Sequence, residues 1–225
     1  MVGNQHLRRS MGTRKRGRVG VRRMERVVNA IFLSASIPVL GRGNYYQTAD
    51  PFLIQLAVRE LLTLALGRRR IVWGGHPAIT PMVWAVCEDL GLRYVDSVVL
   101  YQSRFFEELF PEENKRFANV TFTEAAERDK DASLLAMRRE MLSRVDLEAA
   151  VFIGGMEGLF GEYSLFKELH PSAKIVAVAS PGGAARQLAQ SIGPFSEADE
   201  ANVDFARLFY DALAISPNER RGAER

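Results

Sequence analysis

Three pairs of adjacent glycines each separate an apolar run from a stretch with helical spacing. The pairs are Gly74-Gly75, Gly154-Gly155 and Gly182-Gly183. Because glycine lacks a Cβ atom, the backbone of such a turn can approach an anion closely, and the N-terminus of the following helix attracts negative charge. A tight bend explains one pair equally well, but three pairs in equivalent positions favour a phosphate-binding edge.

Hydroxyl and imidazole side chains also occur where apolar runs end. Ser34 and Ser36 end the first apolar run, and their hydroxyls can donate to a phosphate or a ribose oxygen, although turn capping explains them equally well. His76 directly follows the first glycine pair. A neutral imidazole there can hydrogen-bond a base or a phosphate, and an ordinary surface histidine is the alternative.

The turn at the second glycine pair supplies further candidates. Met156, Glu157 and Gly158 extend it, and we expect their backbone N–H groups to complete an anion site. Glu162 lies one helical turn beyond Gly158, so its carboxylate can project back toward the helix N-terminus. There it can bind ribose hydroxyls or act as an acid or base in glycosidic cleavage, unless it only complements the helix dipole.

Two residues near the third glycine pair complete the set. Ser180 precedes the pair, and Arg186 lies in the first turn of the helix that follows. The Arg186 guanidinium can pair with a phosphate, and solvent exposure is the alternative. We therefore expect Ser180 and Arg186 to bind the ligand together with the glycine turns, and Glu162 to be the candidate catalytic residue.

The periodicity of apolar residues predicts the elements that position these turns. Apolar runs of strand length cover residues 28–34, 70–73, 97–101, 119–122, 149–153 and 174–179, and helical patterns cover residues 51–66, 80–91, 131–145, 158–169, 183–193 and 200–213. This alternation is typical of a Rossmann-like α/β fold, a three-layer α/β/α sandwich with a mainly parallel sheet. All three glycine turns then lie at the carboxyl edge, where such folds bind ligands.

Charge is distributed unevenly along the chain. Residues 1–23 contain eight Arg or Lys residues and no acidic residue, which leaves a net charge of −5 on residues 24–225. We expect a basic, disordered tail, with Met24 as an alternative start, then one domain over residues 24–215 and a frayed polar end over residues 216–225. The acidic body argues against nucleic acid as a partner.

The apolar segment over residues 27–40 resembles a membrane anchor only superficially. It is shorter than the roughly 20 residues that span a bilayer, and Asn29, Ser34 and Ser36 interrupt it. Cys87 is the one cysteine, so no intramolecular disulfide forms, and we expect it in the core. These features predict a cytoplasmic protein with no membrane partner.

The sequence lacks the residues that several common kinds of catalytic or binding site require. The three histidines are scattered, which excludes a zinc site of recognisable spacing, and neither a P-loop nor a nucleophile elbow occurs. A dinucleotide fingerprint that begins at Gly41 and Gly43 fails at Tyr46. That segment, with Tyr45, is a candidate aromatic lid instead. We expect no metal and no cofactor.

Two glycine-rich segments resemble those of the SLOG superfamily. The sequence from Gly154 to Glu162 is similar to the family motif Pro-Gly-Gly-x-Gly-Thr-x-x-Glu, and Gly74-Gly75-His76-Pro77 is similar to a second phosphate loop, within a match over about residues 27–193. The superfamily includes Lonely Guy phosphoribohydrolases, DprA-type DNA-processing proteins and nucleotide-sensor domains. The resemblance implies a Rossmann-like domain with a nucleotide as its small-molecule ligand.

Three differences from the SLOG family motif affect the expected hydrolase activity. Ile153 stands in place of the proline, one extra residue precedes Gly158, and Leu159 stands in place of the threonine that the hydrolases place near phosphate. The resemblance therefore implies a retained nucleotide cradle with a changed hydrolase site. This pattern is similar to the sensor branch, whose members bind ADP-ribose-like ligands.

Three classes of function stay open from the sequence. The first is sensing of an ADP-ribose-like or related signal in bacterial defence or signalling, which requires a separate effector protein because no effector domain is fused in this sequence. The second is an N-glycosidase of the phosphoribohydrolase type that uses Glu162. The third is DprA-like DNA binding through the basic tail. Domains of this kind pair through exposed helices, so we also expect a homo-oligomer.

Overall fold

The computed structural model describes residues 29–126 and 129–222. The expected basic tail over residues 1–23, on which the DNA-binding class relies, lies outside the described residues. The strands are β1 (Ala30–Ser36), β2 (Arg70–Trp73), β3 (Val98–Ser103), β4 (Val120–Thr123), β5 (Leu147–Gly154) and β6 (Lys174–Val178). The helices are α1 (Pro51–Ala65), α2 (Thr80–Asp89), α3 (Tyr94–Ser97), α4 (Lys130–Leu142), α5 (Gly158–Leu169), α6 (Gly183–Ile192), α7 (Glu197–Ala201) and α8 (Phe205–Leu213).

A parallel sheet forms the centre of the fold. Its strand order is β4-β3-β2-β1-β5-β6, and every adjacent pair is parallel. β1 lies between β2 and β5 because the chain crosses back over the sheet after β4. The strand order therefore reverses at β1, and a crevice opens between the carboxyl ends of β1 and β5.

Helices cover both faces of the sheet and bury two apolar cores. On one face α1, α2 and α8 pack through residues such as Ile54 and Phe209, and on the other α4, α5 and α6 pack through residues such as Phe166 and Leu188. Successive residues of a strand point to opposite faces, so β1 supplies Ile31 to the first core and Phe32 to the second. The architecture is the Rossmann-like α/β/α sandwich that the sequence predicts.

Local sequence fixes where α1 begins, and α1 carries the chain from β1 to β2. The Asp50 carboxylate accepts hydrogen bonds from the backbone N–H groups of Phe52 and Leu53 at 2.9 and 3.1 Å, and Pro51 occupies the first helical position. Such a cap typically contributes about 1 kcal/mol. The buried face of α1 contributes more, since each large apolar side chain removed from water adds roughly 1.5–3 kcal/mol.

Most predicted boundaries differ from the structure by one to three residues, and two differences change the description of the fold. β3 continues to Ser103, two residues beyond the predicted end, and this places Gln102 within the sheet. The helix expected over residues 200–213 is instead two helices, α7 and α8. The break occurs because the Asp204 side chain caps a new helix, accepting from the backbone N–H of Arg207 at 3.1 Å.

The polar segment after α8 contacts the end of α1 over its described part. The guanidinium of Arg221 donates to carbonyl oxygens of Thr63 and Leu66 near the end of α1, and the backbone N–H of Gly222 donates to the Gly67 oxygen at 2.7 Å. These contacts satisfy helix C-terminal carbonyls that otherwise lack partners. Residues 221 and 222, within the segment where the sequence predicts fraying, are thus hydrogen-bonded to the end of α1 and to Gly67.

Replacing Gly182 with alanine should destabilise the fold by about 3 kcal/mol or more. Gly182 has φ +78° and ψ −155°, and a Cβ atom there would lie 1.8 Å from the carbonyl oxygen of Thr48. Gly161→Ala is the control, because Gly161 lies within α5 with no atom in the way, and it should stabilise by about 0.5–1 kcal/mol. Urea denaturation measures both, and equal effects of the two variants would contradict the packing argument.

Candidate functional site

A cavity of about 350 Å³ opens at the carboxyl edge of the sheet, where the strand order reverses. The ends of β1, β2 and β3, the helices α4 and α5, and the segment over residues 106–111 line it. Nine of the predicted site residues are among the lining residues: Ser34, Ser36, Gly74, Gly75, His76, Gly155, Met156, Gly158 and Glu162. The fold thus brings together residues that are far apart in sequence, and ligand binding by them stays a prediction.

Glu162 occupies the centre of a polar cluster in this cavity. Its Oε2 atom accepts a hydrogen bond from the Ser34 hydroxyl at 2.6 Å, and its Oε1 atom accepts from the Arg138 Nε at 2.9 Å. The Glu162 side chain is only 17% exposed. Both carboxylate oxygens are therefore held in place, since a charge-assisted bond to a partly buried guanidinium restricts rotation.

The absence of a side chain at Gly158 allows Arg138 to reach this cluster. A Cβ atom at Gly158 would lie 2.7 Å from a terminal nitrogen of the Arg138 guanidinium. Arg138 therefore crosses the N-terminus of α5 at close range. A guanidinium beside a helix N-terminus concentrates positive charge, and an anionic ligand group benefits from both.

The lining side chains of the cavity carry a positive excess. Arg42, Lys130 and Arg138 line it, and Glu162 is the one acidic residue among the lining residues of the described chain. The nearby Glu157 forms an ion pair with Arg42 at 2.5 Å. This hydrogen bond, with the charge of Lys130 as a smaller cause, lowers the pKa of Glu157. The cavity is suited to an anionic ligand such as a phosphate.

The environment of His76 keeps its imidazole neutral. Burial, and to a lesser extent the charge of Arg42, lowers the pKa of His76 below its ordinary value. The Nδ1 atom accepts a hydrogen bond from the backbone N–H of Ala78 at 3.2 Å. A neutral ring that accepts at Nδ1 carries its proton on Nε2, so His76 presents a hydrogen-bond donor without a charge.

Apolar side chains form the other part of the wall. Phe106, Leu109, Phe110 and Pro111 approach from the segment after β3, and Leu134 approaches from α4. Ligand pockets commonly combine such an apolar wall with a few fixed polar groups. Tyr45 and Tyr46, the candidate aromatic lid, are not among the lining residues.

The third glycine pair lies at the same edge of the sheet but away from the cavity. Gly183 packs against the backbone of Gly154, and a Cβ atom at Gly183 would lie 2.8 Å from the Gly154 carbonyl carbon. A Cβ atom at Gly154 would in turn lie 2.6 Å from the Ser36 carbonyl oxygen. Gly154, Gly182 and Gly183 thus let three backbone segments pack together, because protein atoms fill the space that their side chains would need.

Ser180 and Arg186 also bind protein atoms. The Ser180 hydroxyl donates to the Asn202 carbonyl oxygen at 2.5 Å. The Arg186 guanidinium donates to the carbonyl oxygens of Ala179 and Ser180, both at 3.0 Å, and forms an ion pair with Glu200 at 2.8 Å. These bonds hold the turn after β6 against α7. Neither residue lines the cavity.

Sequence reasoning missed five polar residues of the cavity: Arg42, Gln102, Ser103, Lys130 and Arg138. Arg138 lies in the predicted helix over residues 131–145, directly after the buried Met137. An arginine at the edge of an apolar stripe is a weak signal that its side chain reaches under a neighbouring element. Gln102 fell beyond the predicted end of its strand, so its burial could not be anticipated.

In the described ranges, 29–126 and 129–222, no group of three His, Cys, Asp or Glu side chains is placed to hold a metal ion. None of the helices in this part of the chain is long and apolar enough to cross a membrane.

The parallel sheet, its reversed strand order and the positively lined cavity define a Rossmann-like α/β protein with a site suited to an anion. The model of the SLOG cluster3 family matches residues 44–213. The chain therefore belongs to the SLOG cluster3 family, which confirms the resemblance to the SLOG superfamily.

Other comparisons gave more distant matches. The X-ray structure of TM1055, a structural genomics target, is 11% identical and has a TM-score of 0.45, and the match covers 82% of this chain and 99% of that chain. No curated protein matches the chain.

The neutral state of His76 should make the stability of the protein depend on pH. Because the native pKa is lowered, the unfolded chain protonates first as the pH falls below about 6.5. The stabilisation is therefore present above that pH and is lost as the pH falls through the native pKa. His76→Asn keeps an acceptor for the Ala78 N–H, and its free energy of unfolding should decrease less between pH 7.5 and 5.5. Parallel curves for the two proteins would contradict this.

Proposed function

We propose that this SLOG protein binds a phosphorylated nucleotide derivative of the ADP-ribose type in the cavity at the carboxyl edge of its sheet. The single observation that carries the proposal is the placement of Arg138 across the N-terminus of α5, next to Glu162 and with two further cations around it. Helix N-terminus and guanidinium together form a site for phosphate. Family membership supports the same conclusion.

The size and lining of the cavity fit such a ligand. Its volume of about 350 Å³ lies within the range of small-molecule sites. The cationic residues gather where β5 meets α5, and the apolar wall with Phe106 and Phe110 lies beyond β3. A ligand with a charged phosphate at one end and a flat base at the other suits this division.

Leu159 favours sensing over turnover. This residue lies in the first turn of α5, is 3% exposed and joins the apolar core. A leucine cannot donate the hydrogen bond that the threonine at the matching motif position would supply. We therefore propose binding and reporting of the ligand, with a separate effector protein and a homo-oligomeric assembly as its partners.

The held carboxylate of Glu162 favours N-glycosidic cleavage as a second candidate function. A carboxylate whose two oxygens are fixed by Ser34 and Arg138 is oriented toward one region of the cavity. In that position it could accept a proton from a water that attacks the anomeric carbon while the bond to the base breaks. The leaving base would then take its proton from solvent, while the neutral His76 could donate a hydrogen bond to it.

Arg138→Ala should weaken binding of ADP-ribose by roughly tenfold to a hundredfold, the usual effect of losing a hydrogen bond to a charged group. Isothermal titration calorimetry measures this loss. Arg139→Ala is a matched control, because Arg139 is exposed on the same helix and does not line the cavity. The control should bind like the unaltered protein. If both variants bind equally well, the phosphate does not lie at Arg138.

Glu162→Gln distinguishes sensing from cleavage. The unaltered protein is incubated with AMP and with NAD, and mass spectrometry measures free base and any nucleotide that purified with the protein. Sensing predicts an intact nucleotide, no free base, and a variant that binds within several-fold of the unaltered protein. Release of base that disappears in Glu162→Gln, while the variant still binds, would instead establish the second candidate.

A further inference from the structure

A buried glutamine at the end of β3 belongs to the cavity but not to its charged part. Gln102 is 4% exposed and lines the cavity. Burial of a primary amide is costly unless its polar atoms find partners. Among the described residues, the Gln102 side chain makes one hydrogen bond, from Nε2 to the Gly75 carbonyl oxygen at 3.2 Å.

That single bond fixes the orientation of the amide. A carbonyl oxygen accepts only from the nitrogen, so Nε2 faces Gly75 and Oε1 points the other way. The geometry also explains the glycine, because a Cβ atom at Gly75 would lie 1.5 Å from the Gln102 Nε2. After the bond to Gly75, the amide retains one N–H donor and its Oε1 acceptor, side by side in one plane.

The lining residues at the ends of β2 and β3, next to Gln102, are uncharged. Next to it, Ser103 is 1% exposed, and its hydroxyl oxygen accepts from the Phe105 N–H at 3.3 Å, which leaves the hydroxyl proton available. His76 adds a neutral donor on the adjacent strand end, and Phe106 adds a flat apolar face. Neutral donors and acceptors beside an aromatic ring suit a nucleobase better than a phosphate.

The distance from this neutral group to the cationic end suits a nucleotide. In the sheet order, three strand intervals separate β3, which carries Gln102, from β5, which leads into α5. Arg138 reaches the N-terminus of α5 from α4. Neighbouring strands lie about 4.8 Å apart, so the ends of β3 and β5 are roughly 14 Å apart. One ligand that contacts both must carry its base and its phosphate on opposite sides of a sugar.

We propose that Gln102 is the residue that determines base specificity, and that it selects a 6-aminopurine over a 6-oxopurine. A glutamine amide pairs with adenine through two bonds, accepting from N6 and donating to N7. A 6-oxopurine presents an acceptor at position 6, which would face the Gln102 Oε1 and repel it. The assignment rests on the proposed function, since it requires that a nucleotide occupy the cavity.

Three probes test the assignment on the unaltered protein: AMP, IMP and ribose 5-phosphate, each titrated by calorimetry. Ribose 5-phosphate carries the sugar and phosphate without a base, so it reports on the charged end alone. AMP should bind on the order of tenfold tighter than IMP, as expected for one bidentate contact to a base. Equal affinity for AMP and IMP, with ribose 5-phosphate binding intact, would overturn the assignment and leave the proposed function standing.

The variant Gln102→Met provides a second test of the assignment, because methionine keeps the length of the side chain and removes both polar atoms. The variant should bind AMP and IMP with similar affinity and ribose 5-phosphate unchanged. A merely structural role in holding Gly75 would weaken all three probes together, and that result would overturn the assignment. Failure of all three probes to bind the unaltered protein would overturn the proposed function, and the assignment with it.

Discussion

The reversal of strand order at β1 is the constraint on which the rest of the structure depends. Because β1 lies between β2 and β5, the chain after β1 covers one face of the sheet and the chain after β4 covers the other. No helix can fill the gap between the carboxyl ends of these neighbouring strands. The crevice is therefore a consequence of topology, and the side chains that follow each strand line it.

Close backbone packing then divides the glycine turns into two kinds. Near β6, the absence of side chains lets Thr48 lie against Gly182, and lets Gly154 lie against both Gly183 and Ser36. In the cavity, it admits lining side chains, since Gly75 leaves room for Gln102 and Gly158 leaves room for Arg138. Three similar turns in sequence thus have different physical roles, and the space around each Cβ position decides between them.

The distribution of charge in the cavity also follows from the strand order. α4 comes from the crossover between β4 and β5, so it lies over the crevice and delivers Lys130 and Arg138 to a site whose carboxylate comes from α5. Charges concentrate where α5 begins, whereas the ends of β2 and β3 contribute the neutral groups of His76 and Gln102. One cavity thereby offers a charged end and an uncharged end, the division that the proposed function uses.

The sequence by itself determined the strand and helix pattern, the fold class and the placement of the glycine turns at one edge, because burial periodicity and turn chemistry are local properties. The resemblance of two glycine-rich segments to a family motif indicated the superfamily. The sequence also predicted that Ser34 near the end of β1, His76 beside a glycine turn and Glu162 in the first turns of α5 would lie at this edge. Only the tertiary structure decided that Arg138 and Gln102 join them and that Ser180 and Arg186 do not. The physical reason is that the long side chains of Arg138 and Gln102 occupy space that Cβ atoms at Gly158 and Gly75 would fill. These glycines are distant in sequence, so no local pattern predicts the contacts.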